Sequence, residues 1–539
     1  MKKNLLAVSL ITIGSLYGIL AAVIILAFII ADLPVTNGIM LSLLIIVIQF
    51  LIAPVLNDFV FRVFYKTTFD YELPEYLREF IQESCKKHGM KYPKIGFIDD
   101  GAPNAFTYGR TKNDARVVIT RGVLELLDEE EVKSVVAHEL GHANHYDMLF
   151  MTVAQIVPLI LYYVYELLLD GKTNRGTKRN DSNNNAESLG ALVGLIAYIL
   201  YIVSQYIILW LSRTREYYAD SFSIEETENP TALATALIKI GFGLATGNRE
   251  ERSKVSSGNA LGISNAKFSK GMAIASYNNG GVSKDNVINA MKWERWSVWA
   301  KINELSSTHP LISKRLLAIS DRCEEFGQPR YIEFNEKQPE SYLDDFFKDL
   351  FVAYLPWLVV LGTLIAIACT GAKTAIPLGV GAVALSTSLI IYMQYTHKDG
   401  EYGEYKQTTV AELLGEVKVS NVKSIPCTIE GTIIGRGNPG CVFNEDFVIK
   451  DQTGIMFLDY NQPLYIAEKL FAAFKSEEYF DKKVRVKGWY RRSVVPYIEV
   501  KSMEIDGVEK KCHTYTTAKV IYGILLVLSI AFLIYTLGI

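Results

Sequence analysis

Residues 138–142, His138-Glu139-Leu140-Gly141-His142, place two imidazoles and a carboxylate within five positions. On a helix, positions four apart project from one face about one turn from each other, so His138 and His142 can share a metal ion. Two imidazoles suit a tetrahedral zinc at nitrogen–metal distances of about 2.0–2.1 Å. Glu139 stands beside the first of them, where it can take a proton from an activated water and later pass it to a leaving amine. The chemistry indicated is hydrolysis of a peptide bond. A catalytic zinc takes three protein ligands and keeps one position open, so a further ligand must come from elsewhere. Glu216, in Arg215-Glu216-Tyr217-Tyr218-Ala219-Asp220, can supply it. Asp220 lies four residues on and on the same face, where it can accept a hydrogen bond from the distal N–H of a ligating histidine and fix its tautomer. Ala219 is small enough to let two helices approach closely. Alone, Glu216 and Asp220 read as the charged side of an amphipathic helix. Beside the 138–142 segment they complete a metal site.

These motifs, in this order, resemble those of the HtpX group of membrane zinc peptidases, which is related to the type I CAAX prenyl protease. Two further segments carry the resemblance: Asn104-Ala105-Phe106-Thr107-Tyr108-Gly109 is similar to that group's Asn-Ala-Phe strand, and Thr308-His309-Pro310-Leu311 with Arg315 to its Thr-His-Pro…Arg segment. The likeness covers about residues 1–325. It implies a gluzincin with one Zn2+ per chain, held by His138, His142 and Glu216, with Glu139 as base, acting on membrane or misfolded proteins. The two segments also have readings of their own. A strand at the rim of the cleft can pair with an extended substrate backbone, which makes Asn104, Ala105 and Phe106 substrate-binding residues. The plainer reading is a turn entering a strand. His309 can act in catalysis by donating to the oxyanion, or cover the zinc at rest. It can equally start a helix ahead of Pro310. Arg315 is a second oxyanion donor or, preferably, a buried ion-pair partner. His145 lies one turn too far from the metal and reads as a rim residue, and His88, His397 and His513 read as surface histidines.

Elements long enough to hold this site are written in the apolar runs. The chain has 539 residues, 50% hydrophobic and 21% charged, with mean hydropathy +0.17 and net charge −3. A charge so near balance gives no footprint for nucleic acid. A spanning helix needs about 20 apolar residues. Residues 5–31, 39–56, 149–169, 189–211, 350–370, 375–395 and 519–537 qualify, about seven spans, the middle pair being the least secure. The first run exceeds a signal h-region and reads as a retained anchor. Lys2 and Lys3 before the first span, and Arg62 and Lys66 after the second, put the polar blocks inside. One loop, 171–188, disagrees by carrying Lys172, Arg175, Lys178 and Arg179. The expected protein is multi-pass, in a prokaryotic cell membrane, with its catalytic domain facing the cytoplasm. Six scattered cysteines without a CxxC pair read as reduced thiols.

The fold class expected is a mostly α multi-span membrane protein with an α+β zincin-type catalytic domain and a small C-terminal OB-like β-barrel. Its expected domains are two spans in 1–57, a peptidase domain in 58–348 that includes the apolar helices 149–169 and 189–211, a transmembrane hairpin in 350–395, a barrel in 400–509 and a last span in 519–537. Asp128 and Glu131 form a capping box for the helix bearing His138, which is expected to run on toward the third span. Period-two alternation marks five strands between 427 and 505, with a helix at 466–475 before the fourth. Residues 435–440 match GxGxxG, but between strands and with Pro439 they make a turn. Trp489, Tyr490, Arg491 and Arg492 could stack on bases, yet neighbouring acidic residues weaken any basic stripe, and no nucleic acid is expected. The partners expected are protein or peptide substrates and the bilayer; the sequence sets no oligomeric state. Competing functions are a prenyl-protein or peptide processing protease and a non-proteolytic membrane scaffold. The scaffold reading leaves the complete ligand set without a purpose.

Overall fold

The computed structural model describes residues 35–69, 71–170, 184–246, 277–278, 281–370, 375–399, 404–436, 447–461, 479–493 and 495–538, with some positions between 12 and 23. Two compact units emerge. One comprises Met1–Ile240, Lys254–Ala266 and Glu304–Glu333; the other comprises Gly241–Ser253, Lys267–Asn303 and Phe334–Ile539. Residues 267–303, inside the expected 58–348 block, thus belong with the second unit.

The first unit contains a four-stranded sheet in the order β1 (Thr68–Phe69), β2 (Lys94–Ile98), β4 (Ala115–Thr120), β3 (Ala105–Gly109). β4 pairs with β2 in parallel and with β3 antiparallel, which leaves β3 on the edge. Val117, Val118 and Ile119 are fully buried, as β-branched side chains with both sheet faces covered should be. Helix α1 (Val35–Phe64) precedes the sheet, and Phe61 packs on Phe106 and Tyr108. Helix α2 (Glu75–Lys87) buries Leu77, Ile81 and Cys85, spaced four apart on one face.

Helix α3 (Glu129–Asn144) carries the first metal motif. Its start is the expected capping box: Glu131 N donates to Asp128 Oδ1 and Asp128 N to Glu131 Oε2, both at 3.0 Å. Its end corrects the expectation of a continuous helix. Tyr146 takes the left-handed conformation, φ 58°, and a new helix, α4, starts at Asp147 and runs to Asp170. A left-handed residue cannot propagate α-helical hydrogen bonding, so the chain turns here. Helix α5 (Asn184–Thr227) is one continuous rod of 44 residues that joins the fourth apolar run to Glu216 and Asp220. Helix α6 is Pro230–Thr246 and helix α7 is Ile312–Arg322. Leu16, Leu20 and Val23 of the first apolar run form one core cluster with Ala154, Val157 and Leu161 of α4 and Ala197 and Ile208 of α5.

The second unit holds helices α8 (Leu343–Thr370) and α9 (Ile376–Thr396), a closed five-stranded barrel and the last helix, α10 (Thr514–Leu537). The barrel strands are β5 (Ile425–Arg436), β6 (Phe447–Lys450), β7 (Ile455–Asp459), β8 (Lys483–Arg492) and β9 (Pro496–Ile505). They pair in the order β7-β6-β5-β8-β9, and β7 closes the ring in parallel against β9. The expected 466–475 helix lies outside the described residues. Trp489 and Tyr490 are both buried, and so are Arg491 and Arg492. Arg492 donates to the carbonyls of Leu414 and Ala290 and lies over the Trp293 ring. This row of residues holds the unit together, and none of its four members is presented as a stacking surface.

The protein is thus mostly helical, with a sheet-containing unit, a closed barrel, and five helices among the described residues long and apolar enough to cross a membrane: Asp147–Glu166, Gly190–Thr227, Leu343–Thr370, Ile376–Thr396 and Thr514–Leu537. These carry five of the seven expected runs. The run at 39–56 falls in α1, and 5–31 lies mostly outside the described residues.

Candidate active site

The helix crossing of α3 on α5 brings the two metal motifs together. A Cβ at Gly141 would stand 3.1 Å from the Cα of Ala219 and 3.1 Å from the Cβ of Phe222. The two small residues therefore set the approach of the helices, and their neighbours on the same faces meet. His138 Nε2 and His142 Nε2 are 3.2 Å apart; each lies 3.6 Å from a Glu216 oxygen. A tetrahedron with metal–ligand bonds of about 2.05 Å has edges of about 3.3 Å. The Nε2–Nε2 separation matches such an edge, and the two slightly longer contacts run to different Glu216 oxygens, Oε2 for His138 and Oε1 for His142. One donor atom from each residue lies within 4.8 Å of the other two, and the donor set, two imidazoles and a carboxylate, fits that ion.

Carboxylates hold the far side of each imidazole. His138 Nδ1 lies 3.0 Å from Asp220 Oδ1, and His142 Nδ1 lies 2.7 Å from Asp147 Oδ2. A carboxylate beside Nδ1 favours the tautomer that leaves the Nε2 lone pair free for a candidate metal ion. Asp220, named from the sequence, stands beside His138. Asp147 was missed. Its signal was present, an acid five residues after His142 at the start of an apolar run, but only the turn at Tyr146 brings it back to the histidine. Arg215 anchors Asp147 from its other side at 2.5 Å and also donates to the carbonyl of His145.

Arg315, on α7, is fully buried. It donates through Nε and Nη2 to both oxygens of Asp220, at 2.9 and 2.6 Å, and its Nη1 lies 3.3 Å from Glu216 Oε2. Such a planar, two-pronged pairing fixes the carboxylate as well as neutralising it. His309 Nε2 lies 3.5 Å from Glu216 Oε1, and its Nδ1 is 2.8 Å from the Thr308 hydroxyl. Burial, Arg315 and the other two histidines lower the His309 pKa, against the pull of Glu216. Burial also lowers that of His138, but Asp220 and Glu216 outweigh it and raise the pKa to about 9. Glu139 is held above the ordinary carboxylate value by burial, with His142 and His138 pulling the other way.

A cleft of about 290 Å³ opens on this cluster, lined among others by Glu139, His142, Glu216 and His309. Its opposite wall is the edge strand β3, whose Thr107 donates to the carbonyl of Glu139 at 3.1 Å. The residues of this strand that line the cleft are Thr107, Tyr108 and Gly109. Asn104, Ala105 and Phe106 are buried. The Asn104 backbone pairs with Thr120, through N to Oγ1 and through O from N, and so secures the start of the edge strand. His145 caps α3, away from the cluster. His88 and His397 are partly buried, 2.7 Å from the carboxylates of Glu226 and Glu499 respectively; reading them as surface histidines overlooked these partners, far away in sequence.

Known proteins resemble this chain. The sequence pattern of peptidase family M48 matches residues 72–323. A Protease HtpX homolog of Methanothermobacter thermautotrophicus is 40% identical over 201 residues, covering 37% of this chain and 71% of that protein. Counterparts of the same name from Aquifex aeolicus and Bacteroides fragilis are 36% and 35% identical over 32% and 30% of this chain, and 57% and 50% of their own lengths. The chain thus spans between half and 71% of these relatives. The crystal structure of S. mikatae Ste24p aligns with 58% of this chain and 64% of its own at 17% identity, with a TM-score of 0.33.

Proposed function

This chain belongs to peptidase family M48, as an HtpX-like member, and from that premise we propose that it is a membrane-embedded zinc endopeptidase acting on membrane or misfolded proteins. The observation that carries the reading is the cluster of His138, His142 and Glu216, whose donor atoms lie within 4.8 Å of one another, with Glu139 in the same cleft. His138, His142 and Glu216 would hold the ion. When bound, zinc supplies a Lewis acid that polarises a carbonyl and makes water nucleophilic near neutral pH.

The rest is done by the chain. The edge of β3 pairs with an extended substrate backbone and lays the scissile bond along the cleft. Glu139 takes the proton of the attacking water and passes it to the leaving amine nitrogen, a role its raised pKa suits. A Thr308 hydroxyl that donates to His309 Nδ1 leaves His309 with Nε2–H, ready to donate to the developing oxyanion. Arg315 and Asp220 hold Glu216 and His138 in place, as positioning residues. The polar blocks face the cytoplasm in this reading, on the charges flanking the first two spans.

The test compares wild type with Glu139→Gln in detergent. The substitution should leave zinc stoichiometry at one per chain while peptide cleavage falls about 10²–10⁴-fold. Undiminished cleavage by the mutant would remove Glu139 from the mechanism.

A further inference from the structure

Next to the catalytic cleft lies a second cavity of about 530 Å³, between α4 and α5. On α4 it is lined by Gln155, Pro158, Leu159 and Tyr162, and on α5 by Tyr201, Gln205, Ile208 and Leu209. Both sets follow helical spacing, so each is a single stripe, and the stripes face each other. They do not stop at the cavity. On α4 the same face continues through Thr152, Met151 and Met148, which line the cleft, and Gln155 lines both spaces. On α5 it continues through Ser212 to the candidate ligand Glu216. From Tyr201 to Glu216 is fifteen residues, about 22 Å of helix at 1.5 Å per residue. Both helices are apolar enough to span a membrane, whose hydrocarbon core is about 30 Å thick. The groove therefore leads from membrane depth to the candidate metal centre. At its far end Tyr162 and Tyr201 meet, ring centroids 5.4 Å apart.

Two features are out of keeping with a wall that only faces lipid. Gln155 and Gln205 are exposed, and among the described residues neither side-chain amide has a hydrogen-bond partner. An unpaired amide turned toward hydrocarbon is unfavourable and marks a functional position. Its chemistry suits one occupant. Cleavage requires an extended substrate, but a peptide unit drawn out of a helix inside a bilayer has an N–H and a C=O without partners. A glutamine offers one donor group and one acceptor, the complement of a peptide unit. A lipid chain gains nothing from either.

We propose that this groove is the entry path for an apolar, membrane-resident polypeptide segment, with Gln155 and Gln205 pairing the backbone groups freed as the segment unwinds toward the cleft. This rests on the peptidase reading above and adds to it where the substrate enters and what is read there: freed backbone, irrespective of side-chain sequence.

The test uses the zinc-loaded full chain in vesicles of phosphatidylcholine with phosphatidylglycerol. One fluorogenic cleavage sequence is presented twice, as a soluble peptide and joined to a twenty-residue Leu/Ala helix. Gln205→Leu and Leu159→Trp should lower cleavage of the joined form at least tenfold, with the soluble peptide cut within twofold of wild type. Equal losses on both probes, or no loss on either, overturn the groove proposal. It is also overturned if the variants lose co-purifying phospholipid while their ratio of joined to soluble cleavage holds. Failure of wild type to cut either probe with zinc bound sinks the peptidase reading instead. A photoactivatable version of the joined probe then still tests the groove on the Glu139→Gln protein: labelling should fall on α4 and α5, and labelling spread evenly over the apolar helices overturns it.

Discussion

Each residue of the candidate centre is held by another, and this makes their roles separable. His309 is the instructive one, since it was read both as an oxyanion donor and as a ligand at rest. As a donor, His309→Phe should lower kcat/KM about 10²–10³-fold and leave zinc content unchanged. Weakened zinc retention measured by metal analysis would favour the ligand role. The histidines also predict a pH dependence for the metal-free protein. With a pKa raised from 6.5 to about 9, His138 favours the folded state in its protonated form. That contribution is complete below pH 6.5 and is lost as pH rises through about 9. The Tm of the metal-free protein should therefore carry a component that falls between these values and disappears in His138→Gln. Zinc competes with the same proton, so the zinc-loaded protein should show the opposite trend, with affinity lost as pH falls.

At the scale of elements, the site depends on two helices meeting closely. Gly141 leaves no room for a side chain against Ala219 and Phe222. Gly141→Val would drive α3 from α5, at a cost of about 1–3 kcal/mol by overpacking, and would separate His138 and His142 from Glu216. The expected outcome is a lower Tm together with lost zinc; a folded protein with full zinc content would show that the crossing tolerates the wedge. The break between α3 and α4 matters equally. Because Tyr146 turns the chain, Asp147 supports His142 while the residues after it turn toward the cleft and the groove.

At the scale of the whole molecule, the candidate metal ligands all lie in one compact unit and the barrel in the other. A ligand that binds only the folded form stabilises it by mass action, about 4.1 kcal/mol at a thousand times Kd. Scanning calorimetry with and without chelator should therefore shift one transition and leave another in place. A single transition that moves as a whole would mean that the two units unfold together. The barrel is integral to its own unit: Trp293, from a helix preceding it by more than a hundred residues, donates to the carbonyl of Val419 and is 1% exposed.

Much of this was legible in the sequence because it is local. Helical spacing defines the face shared by His138 and His142, Asp128 and Glu131 fix where their helix starts, and period-two alternation marks the barrel strands. Apolar run length marks the spanning helices, since it depends only on hydrocarbon thickness. What the sequence could not contain were contacts made by a change of direction or by distant partners. A single left-handed residue at position 146 decides that Asp147 supports His142. Arg315, 95 residues from Asp220, becomes its two-pronged partner only through packing. The strand at 105–109 was visible, but which of its residues reach the cleft depended on its position at the sheet edge. The groove past Gln155 and Gln205 exists only because two helices face each other, and no pattern within either helix records its neighbour.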